Sequence, residues 1–331
     1  MTKYFIKKET MEEIADVVKN KIGITETLTI TEMPQAIEDY EVADRSSEII
    51  NKTVTSYSNN DILNIRDFAF YSCRSLTSVN FQAALSIGNC AFSGCIILSS
   101  INCPVVTTIG NSAFTYCYAL TSVDFPAVKI IGNSAFYSCS GLKSISFPMA
   151  TNIGETAFLS CRALTSVSFP NATTIGYCAF QYCEGLTSVN FPNVATIDRY
   201  AFRGCTWLTE LNFPNATTIG SYAFSGCAFL SSVNFPYITT IQTGTFYYDS
   251  ALVFANFPAV TNIGSSAFYR CLTLTDLYLP GSSLCTLGNS NAFTGTPIAS
   301  GTGYVYVPSS LVASYKAATN WTYFSNQIVG I

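Results

Sequence analysis

The sequence predicts an α/β repeat solenoid, a stack of 22-residue coils sharing a parallel sheet. Two observations carry this. A phenylalanine recurs at Phe70, Phe92, Phe114, Phe136, Phe158, Phe180, Phe202, Phe224, Phe246 and Phe268, always 22 residues apart, with Phe293 following after 25. The other apolar positions keep the same beat: Ile five residues before each Phe, Leu six after it, and Pro twelve after it in nine of ten repeats. A period between 20 and 50 residues marks a solenoid, a propeller or an array. Twenty-two residues are too few for a two-helix repeat or a four-stranded blade and suit one coil with a short strand.

Taken in chain order, residues 1–43 lie outside the array. "TMEE", Thr10–Glu13, is a capping box. The stripe Met11, Ile14, Val17, Val18 and Ile22 ends at Gly23, and a second start follows at Thr31. Together these predict a helical hairpin that attaches the chain to a partner. Residues 44–62 read as a lead-in and residues 63–300 as the solenoid. Within each coil Leu76, Val79 and Phe81 and their equivalents spell a strand, with Ser78 and Asn80 facing the other way. The following proline cannot donate to a ladder, so it ends the strand. A second short strand is expected at "TTI" and a helical turn around the repeat Phe. A glycine after Ile, as in Gly110 and Gly220, is expected to bend the coil. Residues 301–331 predict a cap: a strand ended by Pro308, then a helix capped by Ser309 or Ser310 with Leu311, Val312 and Tyr315 on its apolar face.

The motif "IGNSAFTYC…LTSVDFP", Ile109–Pro126, resembles the BspA-type leucine-rich repeat family over about residues 63–296. That resemblance implies a right-handed leucine-rich repeat coil with a binding or structural role, and the "YVPSSLVASYKAATNW" ending is similar to caps found with these repeats. Separately, Glu9–Tyr40 resembles the N-terminal module of tail-associated structural proteins from phages of Gram-positive hosts. The shared features are I-A-D-x-x-K-x-K-x-G, a Thr-rich link and M-P-x-x-I.

The 331 residues are 49% hydrophobic and only 11% charged. Eighteen of the 36 charged residues fall in the first 52, a shift that marks a boundary near residue 45. A net charge of −4 gives no basic footprint, so nucleic acid is not an expected partner. No apolar run reaches membrane-spanning length. Histidine is absent, which removes Ser-His-Asp and Cys-His catalysis and His-ligated metals. Nine acids spread over residues 53–331 without pairing at one repeat position. A non-enzymatic protein without cofactor or metal is expected. Nine of the thirteen cysteines sit three residues after the repeat Phe. Buried thiols, rung-to-rung disulfides and zinc are the three readings; burial is favoured, because Cys packs as a small hydrophobe and Asp249 replaces one rung without breaking the period.

Binding is expected on the variable positions around "AFxxC": Tyr116, Tyr118, Tyr137, Tyr177, Tyr182, Arg199, Tyr200, Arg203, Trp207, Tyr222, Tyr247, Tyr248, Tyr269 and Arg270. Tyr, Trp and Arg dominate recognition hot spots, and amphipathic rings suit sugar faces. The competing reading is that these tyrosines only cover a weakly charged edge. The strand's polar face is a second, plainer candidate surface. Two functions follow. In the first, a phage tail or virion protein attaches through residues 1–43 to tail or baseplate proteins and presents the repeat to a host-surface glycan or protein. The missing apolar leader in residues 1–18 and the missing C-terminal anchor favour this one. In the second, the chain is a bacterial cell-surface or secreted interaction protein. A structural spacer is a third reading, and self-association is compatible with all of them.

Overall fold

A computed structural model describes residues 55–331, so the hairpin expected in residues 1–43 lies outside the described residues. With coils numbered by their phenylalanine, from coil 1 at Phe70 to coil 10 at Phe268, each turn of the solenoid presents a two-residue strand before the Phe and, except in coil 3, a three-residue strand after it. Strands pair in parallel with their counterparts in the next coil, so Val79 faces Ile101 and Val189 faces Leu211. The short strands form an eight-stranded ladder from Asn64–Ile65 to Thr218–Ile219 and a three-stranded one beyond it. The first long strand, Ser56–Ser58, pairs with Ser78–Asn80 inside the stretch read as lead-in.

The fixed spacing stacks like on like. Phe158 has no exposed surface, and its ring lies parallel to Phe136 and Phe180 at 5.3 Å each. A second column, Phe125, Phe147, Phe169 and Phe191, fills the space toward the long strands. Fully burying one such ring stabilises by about 1.5–3 kcal/mol. The repeated "PN" has its own cause: Asn171, Asn193 and Asn215 each donate their side-chain amide to a proline carbonyl of the coil before.

The segment around the Phe is not helical. The residues two before and two after it take left-handed φ, as at Ser112 (55°) and Tyr116 (63°) flanking Phe114. Non-glycine residues at positive φ cost roughly 1–3 kcal/mol and persist only where the surroundings impose them. Here the stack imposes them, because the N–H groups at these positions and at the Phe point along the solenoid axis. Ser112, Phe114 and Tyr116 donate to Asn133, Ala135 and Tyr137 of the next coil. A helix would turn these donors inward and leave the coils unlinked. The glycine after Ile does not take positive φ, in keeping with Arg66, Asp198 and Gln242 at the same position in other coils. A Cβ on Gly110 would lie 2.6 Å from the Gly88 carbonyl carbon, so glycine there permits close approach between coils.

All thirteen cysteines are free thiols, and the nine-rung ladder is buried. From Cys95 onward each rung donates its S–H to the repeat Phe carbonyl of the preceding coil, as Cys161 does to Phe136 at 3.1 Å and Cys183 to Phe158 at 3.1 Å. The residue must therefore be small, apolar and a donor. Burial pushes the Cys161, Cys183 and Cys205 thiols well up, so they stay protonated and unreactive.

At the C-terminal end the strand Tyr304–Val307 continues the long sheet and pairs in turn with Ile328–Gly330, a strand the sequence did not disclose. The helix Val312–Ala317 is preceded by a 3-10 turn, Ser309–Leu311, and neither serine caps it; Leu311 occupies the cap position without a side-chain bond. Its Tyr315 is buried as expected, and its hydroxyl accepts from the Cys285 N–H. Trp321 donates its indole N–H to the Cys285 carbonyl and packs on Phe293, closing the Phe column.

Candidate ligand cleft

The two left-handed positions of each coil sit on the turn edge, and what occupies them shapes that surface. The position two after the Phe reads Tyr182, Gly204, Gly226 and Tyr248 in coils 6 to 9. Two bare glycines thus lie between two tyrosines. All four share positive φ, between 57° and 78°. The result is a cleft of about 510 Å³ lined by Tyr182, Tyr200, Arg203, Gly204, Tyr222, Ser225, Gly226, Tyr247 and Tyr248. The Tyr182 ring leans over Gly204, where an added Cβ would stand 2.6 Å from its Cδ1. Above Gly226 the space is open: a Cβ there meets nothing nearer than 3.7 Å.

The walls are a run of rings. Tyr200 stacks on Tyr222 at 5.4 Å, Tyr222 meets Tyr247 edge-on at 5.9 Å, and Tyr247 stacks on Tyr269 at 4.9 Å. Tyr177 closes the near end against Tyr200. Arginines lie on the ring faces: Arg203 and Arg199 over Tyr200 at 5.4 and 5.6 Å, Arg270 over Tyr248 at 5.5 Å. None of the three guanidiniums makes an ion pair among the described residues; Arg162 and Glu184 do, at 3.6 Å. Among the described residues no carboxylate lines the cleft. Burial first, then the neighbouring Tyr248 and Tyr269 hydroxyls, raise the Tyr247 hydroxyl, keeping it neutral.

Six of the fourteen expected residues line the cleft, and Tyr177, Arg199, Tyr269 and Arg270 contact its lining rings. The other four do neither. Tyr116, Tyr118 and Tyr137 form a separate cluster on coils 3 and 4, with Tyr116 and Tyr137 at 5.4 Å. Coil 5, with Thr156, Leu159 and Ser160 in the corresponding places, interrupts the strip. Trp207 stacks on Phe229 at 4.4 Å and does not line the cleft. Its spacing of four from Arg203 would share a face only on a helix, and this segment is a series of turns. The glycines were missed as site residues, although the Tyr-Gly-Gly-Tyr order down one repeat column is readable in the sequence.

Over coils 5 to 8 the strand face is as plain as its sequence, whereas at its C-terminal end Phe254, Tyr278, Tyr304 and Tyr306 place rings on it. Ser188 and Asn190 are exposed, and asparagines of successive coils bond one another there, as Asn212 donates to Asn190 at 2.7 Å. Among the described residues no three acidic or sulfur side chains converge to hold a metal, and no helix is long and apolar enough to cross a membrane.

The family model for the BspA type leucine rich repeat region matches residues 63–187 and 173–299, in six copies. Among solved structures, a leucine-rich repeat protein from Bacteroides ovatus is 24% identical at a TM-score of 0.50, over 84% of this chain and 88% of that one. The T. pallidum leucine rich repeat protein is 27% identical at 0.41, over 53% of this chain and 78% of that one. A leucine rich cell surface protein from Faecalibacterium prausnitzii is 22% identical at 0.40, over 84% and 87%. The first of these shares the fold. The search of curated proteins returns no match.

Proposed function

The chain belongs to the BspA-type leucine-rich repeat family, and on that premise we propose that it is a non-enzymatic bacterial interaction protein, displayed at the cell surface or secreted, that takes its ligand in the tyrosine–arginine cleft of coils 6 to 9. Family membership supports the surface or secreted reading over the tail-particle one, which rests on Glu9–Tyr40, outside the described residues. The spacer reading is disfavoured by the cleft itself. A spacer gains nothing from guanidiniums that lack an ion pair among the described residues and lie over tyrosine rings, whereas hot spots are built from Tyr and Arg.

The observation that carries the site is the paired glycines Gly204 and Gly226, which open a hollow between the Tyr182 and Tyr248 rings. The purified chain should attach to cells, screened over a panel of intact bacterial and animal cells. Tyr182→Ala with Arg203→Ala should weaken that attachment at least tenfold, about 1.4 kcal/mol, with the melt unchanged, since Arg203 is exposed and Tyr182 partly so. Ser188→Ala with Asn190→Ala on the strand face should change it far less. The opposite ranking would place recognition on the sheet. Fractionation of the producing cell tests location: recovery only in phage-like particles would contradict surface display or secretion.

A further inference from the structure

We infer that the ligand of this cleft is an acidic polysaccharide, its sugar faces on the tyrosine rings and its carboxylate or sulfate on Arg203; this rests on the binding reading above. The first reason is charge. Among the described residues Arg203, which lies over the Tyr200 ring at 5.4 Å, has no acidic partner, and no carboxylate lines the cleft. An anion entering there gains a guanidinium without displacing an existing ion pair. At the far end Arg270 is held over Tyr248 in the same way. Arg203 and Arg270 lie three coils apart, about 14 Å at roughly 4.8 Å per coil, so an extended chain bearing repeated anions can reach both.

The second reason separates sugar from peptide. Every backbone N–H lining the cleft is already donated inside the protein: Tyr182 to Arg203, Gly204 to Ser225, Gly226 to Tyr247 and Tyr248 to Tyr269 along the axis, and the rest within the same scheme. An extended peptide gains affinity from main-chain pairing with such donors, and its carbonyls would be desolvated over rings without partners, at about 1–3 kcal/mol each. A pyranose presents C–H groups to a ring face and keeps its hydroxyls at the rim, where tyrosine hydroxyls and water meet them. The third reason is shape: every coil from 6 to 10 supplies at least one tyrosine ring, a continuous open track rather than an enclosed hole, which fits a polymer.

The test is surface plasmon resonance with the full chain over immobilised hyaluronan, chondroitin sulfate, polygalacturonate and polysialic acid. Dextran and methyl-esterified polygalacturonate serve as neutral counterparts, and polyglutamate and a fifteen-residue oligothymidylate as anions without sugar-ring display of this kind. At least one acidic polysaccharide should bind ten times more tightly than the neutral surfaces and than polyglutamate or the oligonucleotide. Arg203→Ala should lose at least tenfold of that binding and Arg203→Lys should recover part of it. Tighter binding to polyglutamate or to the oligonucleotide overturns the ligand class. So does silence on every acidic polysaccharide while cell attachment still depends on Tyr182 and Arg203, an outcome that leaves the site standing. Cell attachment indifferent to those two residues overturns the site itself.

Discussion

Phe158→Ala should destabilise the solenoid by about 3–5 kcal/mol, as emptying a fully buried phenylalanine site does. The ring has no exposed surface and stacks between Phe136 and Phe180, with Phe147 and Phe169 alongside. Nothing larger than the column itself can refill the space, since each neighbouring ring is fixed by its own coil. The damage should stay local, because a solenoid's stability is close to a sum of coil and nearest-neighbour terms. Denaturant unfolding reads the loss, and amide exchange should accelerate most in coils 4 to 6. An unfolding transition unmoved by the substitution would show that the ring does not sit in the core.

The second large effect concerns Asp249, which stands in the cysteine ladder at coil 9. It is fully buried; one carboxyl oxygen accepts the Cys227 N–H at 2.8 Å and the other has no partner. Burial pushes its carboxyl well above the usual range, against the smaller opposing pull of the backbone bonds. The folded protein therefore holds Asp249 neutral, while the unfolded chain ionises it at about 3.9. Folding then takes up a proton, so stability is greatest in acid and falls as pH rises from about 4 toward the raised folded value. Asp249→Cys restores the common rung and removes this dependence. Its stability advantage should grow as pH rises from about 4 through that window, at up to about 1.4 kcal/mol per pH unit, in denaturant titrations. Parallel stability curves for the two proteins would mean that Asp249 is not held neutral.

How much of this was legible beforehand follows from where the information lies. The core was, because a strict period forces Phe158, Leu164 and Ile153 into columns whatever the local conformation. The conformation around the Phe was not. Ser112, Tyr116 and Cys178 carry no propensity for positive φ, and only the bonds between coils hold them there. The cysteine ladder's burial was readable from its spacing, but its role as a donor to the preceding Phe carbonyl needed the stack. The cleft was half-legible. Its tyrosines and arginines stood out by type, whereas its floor is made by what Gly204 and Gly226 lack, and Trp207 was drawn in by a sequence proximity that turns do not convert into contact. In the cap, Trp321 and the final strand act through residues some 20 to 40 positions away, beyond any local pattern.

The central claim is that the hollow over Gly226, next to the Tyr182 ring that covers Gly204, is where the ligand sits, and filling it is the most direct trial. Tyrosine already occupies the equivalent place in coils 6 and 9 at φ 57° and 66°, close to the 78° of Gly226, and a Cβ there makes ordinary contact at 3.7 Å. Gly226→Tyr should therefore fold, at a cost of about 1–2 kcal/mol for the left-handed side chain. Gly94→Tyr, in the same column at coil 2, carries the same backbone penalty outside the cleft. The measurement is attachment of both variants to the cells that retain the parent chain. Gly226→Tyr should lose at least tenfold in affinity while Gly94→Tyr keeps it; attachment by Gly226→Tyr equal to that of Gly94→Tyr would contradict the cleft as the binding site.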